Sequence, residues 1–209
     1  MRRLAALFLL FLMFASPVQA SPVVIELFAS QNCPACPKAF KTLKRVSQDD
    51  DVLVLTWSVD YWDYLADADP MAMPESSERQ ASYVERFELR GPYTPQSVFD
   101  GALQCAGNKR RKVERWVNSR LDSEASDITI EDAEEGVTID GSLGLPKDVM
   151  LIHYLSDYDG DMPNPVVKAE QIGTWSGEPA TFPVACEHSC VVLVQGAGVG
   201  EIYAAKVID

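Results

Sequence analysis

The chain has 209 residues, 47% of them hydrophobic, and a formal net charge of −13. That length suits one large domain or a domain with a smaller appended unit, and that apolar fraction is enough for a folded core. The acidic balance excludes the basic footprint of a nucleic-acid binder and fits a soluble, self-repelling protein.

Residues 1–20 read as a secretory signal. Arg2 and Arg3 supply the positive start, Leu4 to Ala15 an apolar stretch too short to span a bilayer comfortably, and Val18-Gln19-Ala20 a small-residue cleavage site before Ser21. An uncleaved anchor is the alternative. Cleavage after Ala20 leaves all five cysteines in the mature chain. The expected location is secreted or periplasmic, where disulfides persist, with no membrane span after cleavage.

"VVIELF" (Val23 to Phe28) is apolar on both faces except at Glu26, which suits a central strand covered on both sides. A helix follows, with Ala39, Phe40, Leu43 and Val46 on one face. "DVLVLTWSVDYW" (Asp51 to Trp62) is a second strand, so the three elements form a parallel crossover. After a loop rich in Asp, Pro and Met, Ser76-Ser77 is expected to cap a helix through "ERQASYVERFEL". Ala81, Val84 and Phe87 form its apolar face, and Gly91 stops it. "TPQSVFDG" and "ALQCAG" read as short strands joined at Asp100-Gly101, and Asn108 as the cap of a helix burying Val113, Trp116, Val117 and Leu121. Four strand-like segments then run to the C-terminus, between Gly, Pro and Asp turns. The chain thus divides into residues 1–20, an α/β unit of order β-α-β-α-β-β-α over 21–125, and a β-rich extension over 126–209, read as a small sandwich.

The chemistry concentrates in "SQNCPACPKAF". Cys33 and Cys36 form a C-x-x-C after a buried strand, at the start of a helix. A helix N-terminus favours thiolate, which is the nucleophilic form of cysteine. Cys33 is expected at the N-cap with Pro34 at the first helical position, as an exposed attacking thiol. Cys36, one turn in, would resolve the mixed disulfide. A static short-loop disulfide and half of a zinc site are the open alternatives. In "CEHSC", Cys186 and Cys190 are read as a structural disulfide. Cys105 is either a buried free thiol or a partner for one of that pair. Thr94-Pro95 opens a strand, and a cis bond there would face the cysteines and present backbone to a substrate strand. A trans proline starting an edge strand is the alternative.

Glu26, acidic in an apolar strand, is a candidate proton acceptor for Cys36, or else a carboxylate satisfied by nearby backbone or lysine. Asp60, Trp62 and Asp63 lie at the carboxyl end of the second strand, the edge where ligands gather in open α/β sheets. Trp62 could equally be core. His153 in "LIHYL" reads as a satisfied strand histidine.

"VVIELFASQNCPACP", "VDYWDYL", "ERQ" with "LRGPYTPQSVFDG", and "VVLVQG" closely resemble the secreted bacterial proteins grouped as domain of unknown function 1223. The resemblance covers nearly all of the mature chain. It implies a thioredoxin-like unit in which Cys33 and Cys36 match the redox pair and Thr94-Pro95 the proline facing it, followed by a β-rich part. Two departures stand out. Pro34-Ala35 replaces the small residues, such as Ser-Ser, more usual between the cysteines. Glu26 stands seven residues before Cys33, one more than the buried aspartate of thioredoxin itself.

The expected function is exported thiol–disulfide exchange with a disulfide- or dithiol-containing envelope protein or a small thiol, without cofactor, metal or nucleic acid. The rival is a non-catalytic envelope binding module with a permanent Cys33–Cys36 bridge.

Overall fold

Val23–Ala29 forms strand β1, and all seven of its residues are buried, as a central strand covered on both faces requires. This computed structural model describes residues 21–65, 67–124, 126–142 and 144–208, so the signal reading lies outside the described residues. Helix α1, Cys36–Val46, returns the chain to β2, Val52–Ser58, which pairs parallel to β1 from Val23↔Val52 to Ala29↔Ser58. Helix α2, Pro74–Arg86, precedes β3 (Gln96–Phe99), β4 (Leu103–Ala106) and helix α3 (Arg110–Leu121). β3 runs antiparallel to both β1 and β4, giving the sheet order β2-β1-β3-β4. Asp100 (φ 44°) and Gly101 (φ 65°) turn the β3–β4 hairpin, both in the left-handed region, and the Ala102 amide donates to the Phe99 carbonyl (2.9 Å) to close the turn.

Three helix boundaries differ from the sequence reading. α2 begins at Pro74 after Met73, so Ser76 and Ser77 lie inside its first turn; proline is favoured there because its missing N–H has no helical partner to lose. It ends at Arg86, and Glu88, at φ 51°, reverses the chain before Gly91 is reached. α3 starts at Arg110 with Lys109 as its N-cap residue rather than Asn108. The buried residues also differ. Leu121 is exposed, and Ala81, expected in the apolar face of α2, is exposed too.

The C-terminal half contains two further sheets. β5 (Thr129–Ala133) and β6 (Gly136–Asp140) form a hairpin that β9 (Ala180–Phe182) joins. The other sheet has the order β11-β10-β7-β8, built from β7 (Lys147–Tyr154), β8 (Val166–Trp175), β10 (Ser189–Gly196) and β11 (Ile202–Ile208). The short β9 had no sequence signature.

Side-chain alternation sorts these layers into three cores. Ile25 and Leu27 of β1 pack with Phe40 and Leu43 of α1 and Val113 and Val117 of α3. Val24 and Phe28, on the opposite face, meet Tyr83 of α2 and Ile152, Val191 and Leu193 of the second sheet. That sheet turns Val149, Leu151, Val192 and Val194 toward Val137 and Ile139 of the third. The molecule is therefore a mixed α/β assembly of helices and three stacked sheets.

The segment between β7 and β8 reaches back to the edge of the first sheet. Thr56 donates from its backbone to the Asn164 carbonyl (3.0 Å) and from its hydroxyl to the Pro163 carbonyl (2.5 Å). Asn164 Nδ2 donates to the Val54 carbonyl (2.9 Å). Among the described residues no helix is long and apolar enough to cross a membrane.

Candidate functional site

Cys33 and Cys36 form a disulfide with a Cα–Cα distance of 5.4 Å. Cys33 is not the N-cap. It sits in a turn ahead of α1 that is closed by the Cys36 amide donating to the Cys33 carbonyl (3.1 Å). Ala35 is the N-cap residue and Cys36 begins the helix. Pro37 falls in the first turn, where no bond is lost. No acidic residue occupies that turn and Lys44 and Arg45 close the helix, so the dipole's positive end at Cys36 is unopposed.

Opposite the cysteines, the Thr94–Pro95 bond is cis. The Thr94 hydroxyl donates to Cys33 Sγ (3.2 Å) and accepts from Trp62 Nε1 (2.7 Å). Trp62 thus reaches the disulfide through one hydroxyl.

Neither cysteine is open to solvent: Cys33 is 1% exposed and Cys36 0%. The exposed position expected for Cys33 is not realised, because two loops cover the pair. In the loop after β2, Asp63 accepts from Asn32 Nδ2 (3.4 Å) and from the Asp69 amide (3.1 Å), and the Asp67 carbonyl also accepts from Asn32 (2.9 Å). Buried Asp69 accepts from the Gln31 amide (2.8 Å) and the Ser58 hydroxyl (2.6 Å), pinning the cysteine loop to β2. From the β7–β8 segment, Tyr158 accepts from Gln31 Nε2 (3.1 Å), and Met162 joins the core that contains the cysteines. Asp60 is turned away. It accepts from the Ser77 hydroxyl (2.7 Å) and ties the loop to α2.

Glu26 is not at the site. Strand parity sends Ile25 and Leu27 to the cysteine face and Glu26, with Val24 and Phe28, to the other. There it is fully buried, paired with Arg79 through Nε (2.5 Å) and Nη2 (3.1 Å), and accepts from the Tyr83 hydroxyl. Gln195 of β10 accepts from Arg79 (2.8 Å) and donates to Tyr83 (3.0 Å). Burial alone would lower the Arg79 guanidinium, but the Glu26 carboxylate overrides it and holds Arg79 above its ordinary value. Burial, then the Glu26 charge, push the Tyr83 phenol well up. A proton-acceptor role toward Cys36 is ruled out by the intervening sheet, and the seven-residue spacing was the sign of it: one residue changes the face.

Cys105 of β4 is a buried free thiol on the cysteine side, pushed up to about 11 by burial against the weaker pull of Lys112. Cys186 and Cys190 form a second disulfide. A groove of about 730 Å³ lies between α1 and α3; Lys38, Lys41, Arg45, Arg111 and Arg115 line it, a basic strip on an acidic chain.

Asp69, Tyr158 and the Arg79–Tyr83–Gln195 set were not singled out by sequence. The one available signal was the i, i+4 spacing of Arg79 and Tyr83, which places them on one helix face.

No curated protein matches the chain. A crystal structure of an Agrobacterium tumefaciens protein superposes with a TM-score of 0.76 at 28% identity, covering 91% of this chain and 95% of that one. The family described as protein of unknown function, DUF1223, matches residues 24–163, a span that runs from β1 through the cysteine turn and the cis proline to the Tyr158 and Met162 cover, and the chain belongs to that family.

Proposed function

We propose that this is an exported, thioredoxin-like protein whose Cys33–Cys36 pair performs thiol–disulfide exchange with an envelope protein or a small thiol. The order β2-β1-β3-β4, with a parallel β1–α1–β2 crossover and an antiparallel hairpin, supports the thioredoxin-like assignment. The observation that carries the chemistry is the Thr94 hydroxyl, 3.2 Å from Cys33 Sγ. That places a donor on the sulfur that would bear charge after release from a mixed disulfide.

In the oxidising direction a partner thiolate attacks Cys33 Sγ and the Cys33–Cys36 bond breaks. Cys36 leaves as thiolate at the positive end of α1. The partner's second thiolate then attacks its own mixed-disulfide sulfur and releases Cys33. The partner loses two electrons and the pair gains them; run in reverse, the same steps reduce a disulfide. The loop after β2, whose Asp63, Asp67 and Asp69 hold Asn32 and Gln31 next to Cys33, has to withdraw for the attack.

The burial of both cysteines favours a second reading, a permanent bridge inside a binding module. The Cys36→Ser variant separates the two. Incubated with a small aromatic disulfide, it should hold a mixed disulfide that peptide mass mapping assigns to Cys33. A folded variant whose Cys33 stays unmodified, together with a wild-type bridge that opens no faster than the protein unfolds, would establish the permanent bridge instead.

A further inference from the structure

The second disulfide is built differently from the first. Cys186 is exposed, in the loop before β10, whereas Cys190 is fully buried at the start of that strand. Cys190 pairs in register with His153 of β7, and its Sγ lies 3.3 Å from His153 Nδ1. His153 is 2% exposed, and its other nitrogen, Nε2, lies 3.2 Å from Glu170 Oε1 on β8. A bridge that only stapled the loop would need no imidazole on its buried sulfur. Placing one among Val149, Leu151 and Val192 costs desolvation that an apolar side chain would avoid.

We propose that Cys186–Cys190 is a second exchange site, open to low-molecular-weight aliphatic thiols, in which Cys186 is the sulfur attacked and His153 receives the departing Cys190. A small thiolate attacks Cys186 Sγ and forms a mixed disulfide. The bond to Cys190 breaks, and Cys190 leaves with the electron pair as a thiolate that shares the proton on His153 Nδ1. A second small thiolate attacks the small-molecule sulfur of the mixed disulfide, releasing Cys186 as thiolate, which takes a proton from water. Two small thiols become one disulfide and the protein becomes a dithiol.

The surroundings suit both states of Cys190. As thiolate it faces His153 Nδ1, on a ring whose far nitrogen rests on Glu170. Lys168, and then His153, hold that carboxyl below its ordinary value, so it stays charged. As thiol it has an acceptor in the His188 carbonyl, 3.3 Å from Sγ. The other charged groups nearby are Lys168, which pairs with Glu170, and Glu187 and His188 in the same loop; Lys206 of β11 is engaged by Asp132. Exposed attacked sulfur, buried leaving sulfur and a carboxylate-oriented imidazole form a working set for exchange.

The site is independent of Cys33–Cys36 and is tested in the full chain carrying Cys33→Ser and Cys36→Ser, so failure of either proposal leaves the other standing. Reduced glutathione is the probe. Alkylation and mass mapping should show the mixed disulfide on Cys186, and His153→Gln should slow reduction about tenfold by leaving Cys190 a poorer leaving group. The ultraviolet thiolate absorbance of the reduced protein should fall in the same variant. Glu170→Gln, at a partly exposed position, should slow reduction by a smaller factor and serves if His153→Gln does not fold. Attack mapped to Cys190, or rates unchanged in Glu170→Gln and in folded His153→Gln, would overturn the proposal.

Discussion

The two faces of the first sheet solve burial in opposite ways. One is apolar: Ile25 and Leu27 meet Phe40 and Leu43, and the disulfide sits at its margin under a hydroxyl. The other buries a carboxylate, a guanidinium, a phenol and an amide that satisfy one another. Because Gln195 belongs to β10, the polar cluster joins the N-terminal sheet to the second sheet through directional bonds. The apolar face holds α1 and α3 through packed side chains, with the Arg120–Asp100 pair (2.9 Å) fastening the end of α3 to the β3–β4 turn. Adjacent residues of one strand, Glu26 and Leu27, thus belong to different kinds of core, and the Cys33–Cys36 disulfide goes with the apolar one.

The largest effect should come from breaking the polar face. Glu26→Gln leaves Arg79 buried without its counter-charge, a loss of about 3–5 kcal/mol in denaturant unfolding. The paired change Glu26→Leu with Arg79→Met should cost less than the single one, since no uncompensated charge remains. Next is a pH effect. The Tyr83 phenol is raised in the folded protein, so its contribution is complete below the ordinary tyrosine value of about 10 and is lost as pH rises through the higher folded value. Tyr83→Phe should flatten that alkaline decline in thermal melts. On the cysteine face, Trp62→Phe removes the donor to Thr94, worth about 1 kcal/mol, and loosens the cover. Small-thiol reduction of Cys33–Cys36 should become faster while the melting temperature moves little. The smallest effect concerns Cys105. With its thiol raised to about 11, it should resist alkylation in the native protein at neutral pH, react faster as pH climbs toward that value, and leave one labelled thiol after unfolding without reductant.

The strands and the cysteine turn were legible because their signals are local: an apolar run, a C-x-x-C, an Asp-Gly pair. The face of α2 was not. Ala81, Val84 and Phe87 look like a buried stripe, yet the helix buries Ser76, Gln80 and Tyr83 and nearly all of Arg79. Hydrophobicity cannot rank a polar face as core when its partners are Glu26, more than fifty residues earlier, and Gln195, more than a hundred later. The cover over Cys33 was invisible for the same reason. Tyr158 lies far along the chain from Gln31, and nothing near either residue signals the contact. Parity, by contrast, was readable. Counting seven rather than six from Glu26 to Cys33 predicts the wrong face for a proton relay.

The strap at Pro163-Asn164-Pro165 carries a consequence for life at high concentration. β2 ends the first sheet, and an uncovered edge strand is a template on which another molecule's strand can grow. Thr56 is spent on Asn164 and Pro163, Val54 on the Asn164 amide, and Ser58 on Met73. Two of the three strap residues are prolines, which have no N–H with which to continue a ladder. The side of the sheet next to the disulfide therefore offers no foothold to a second chain. This edge of the sheet is closed against copies of the chain itself.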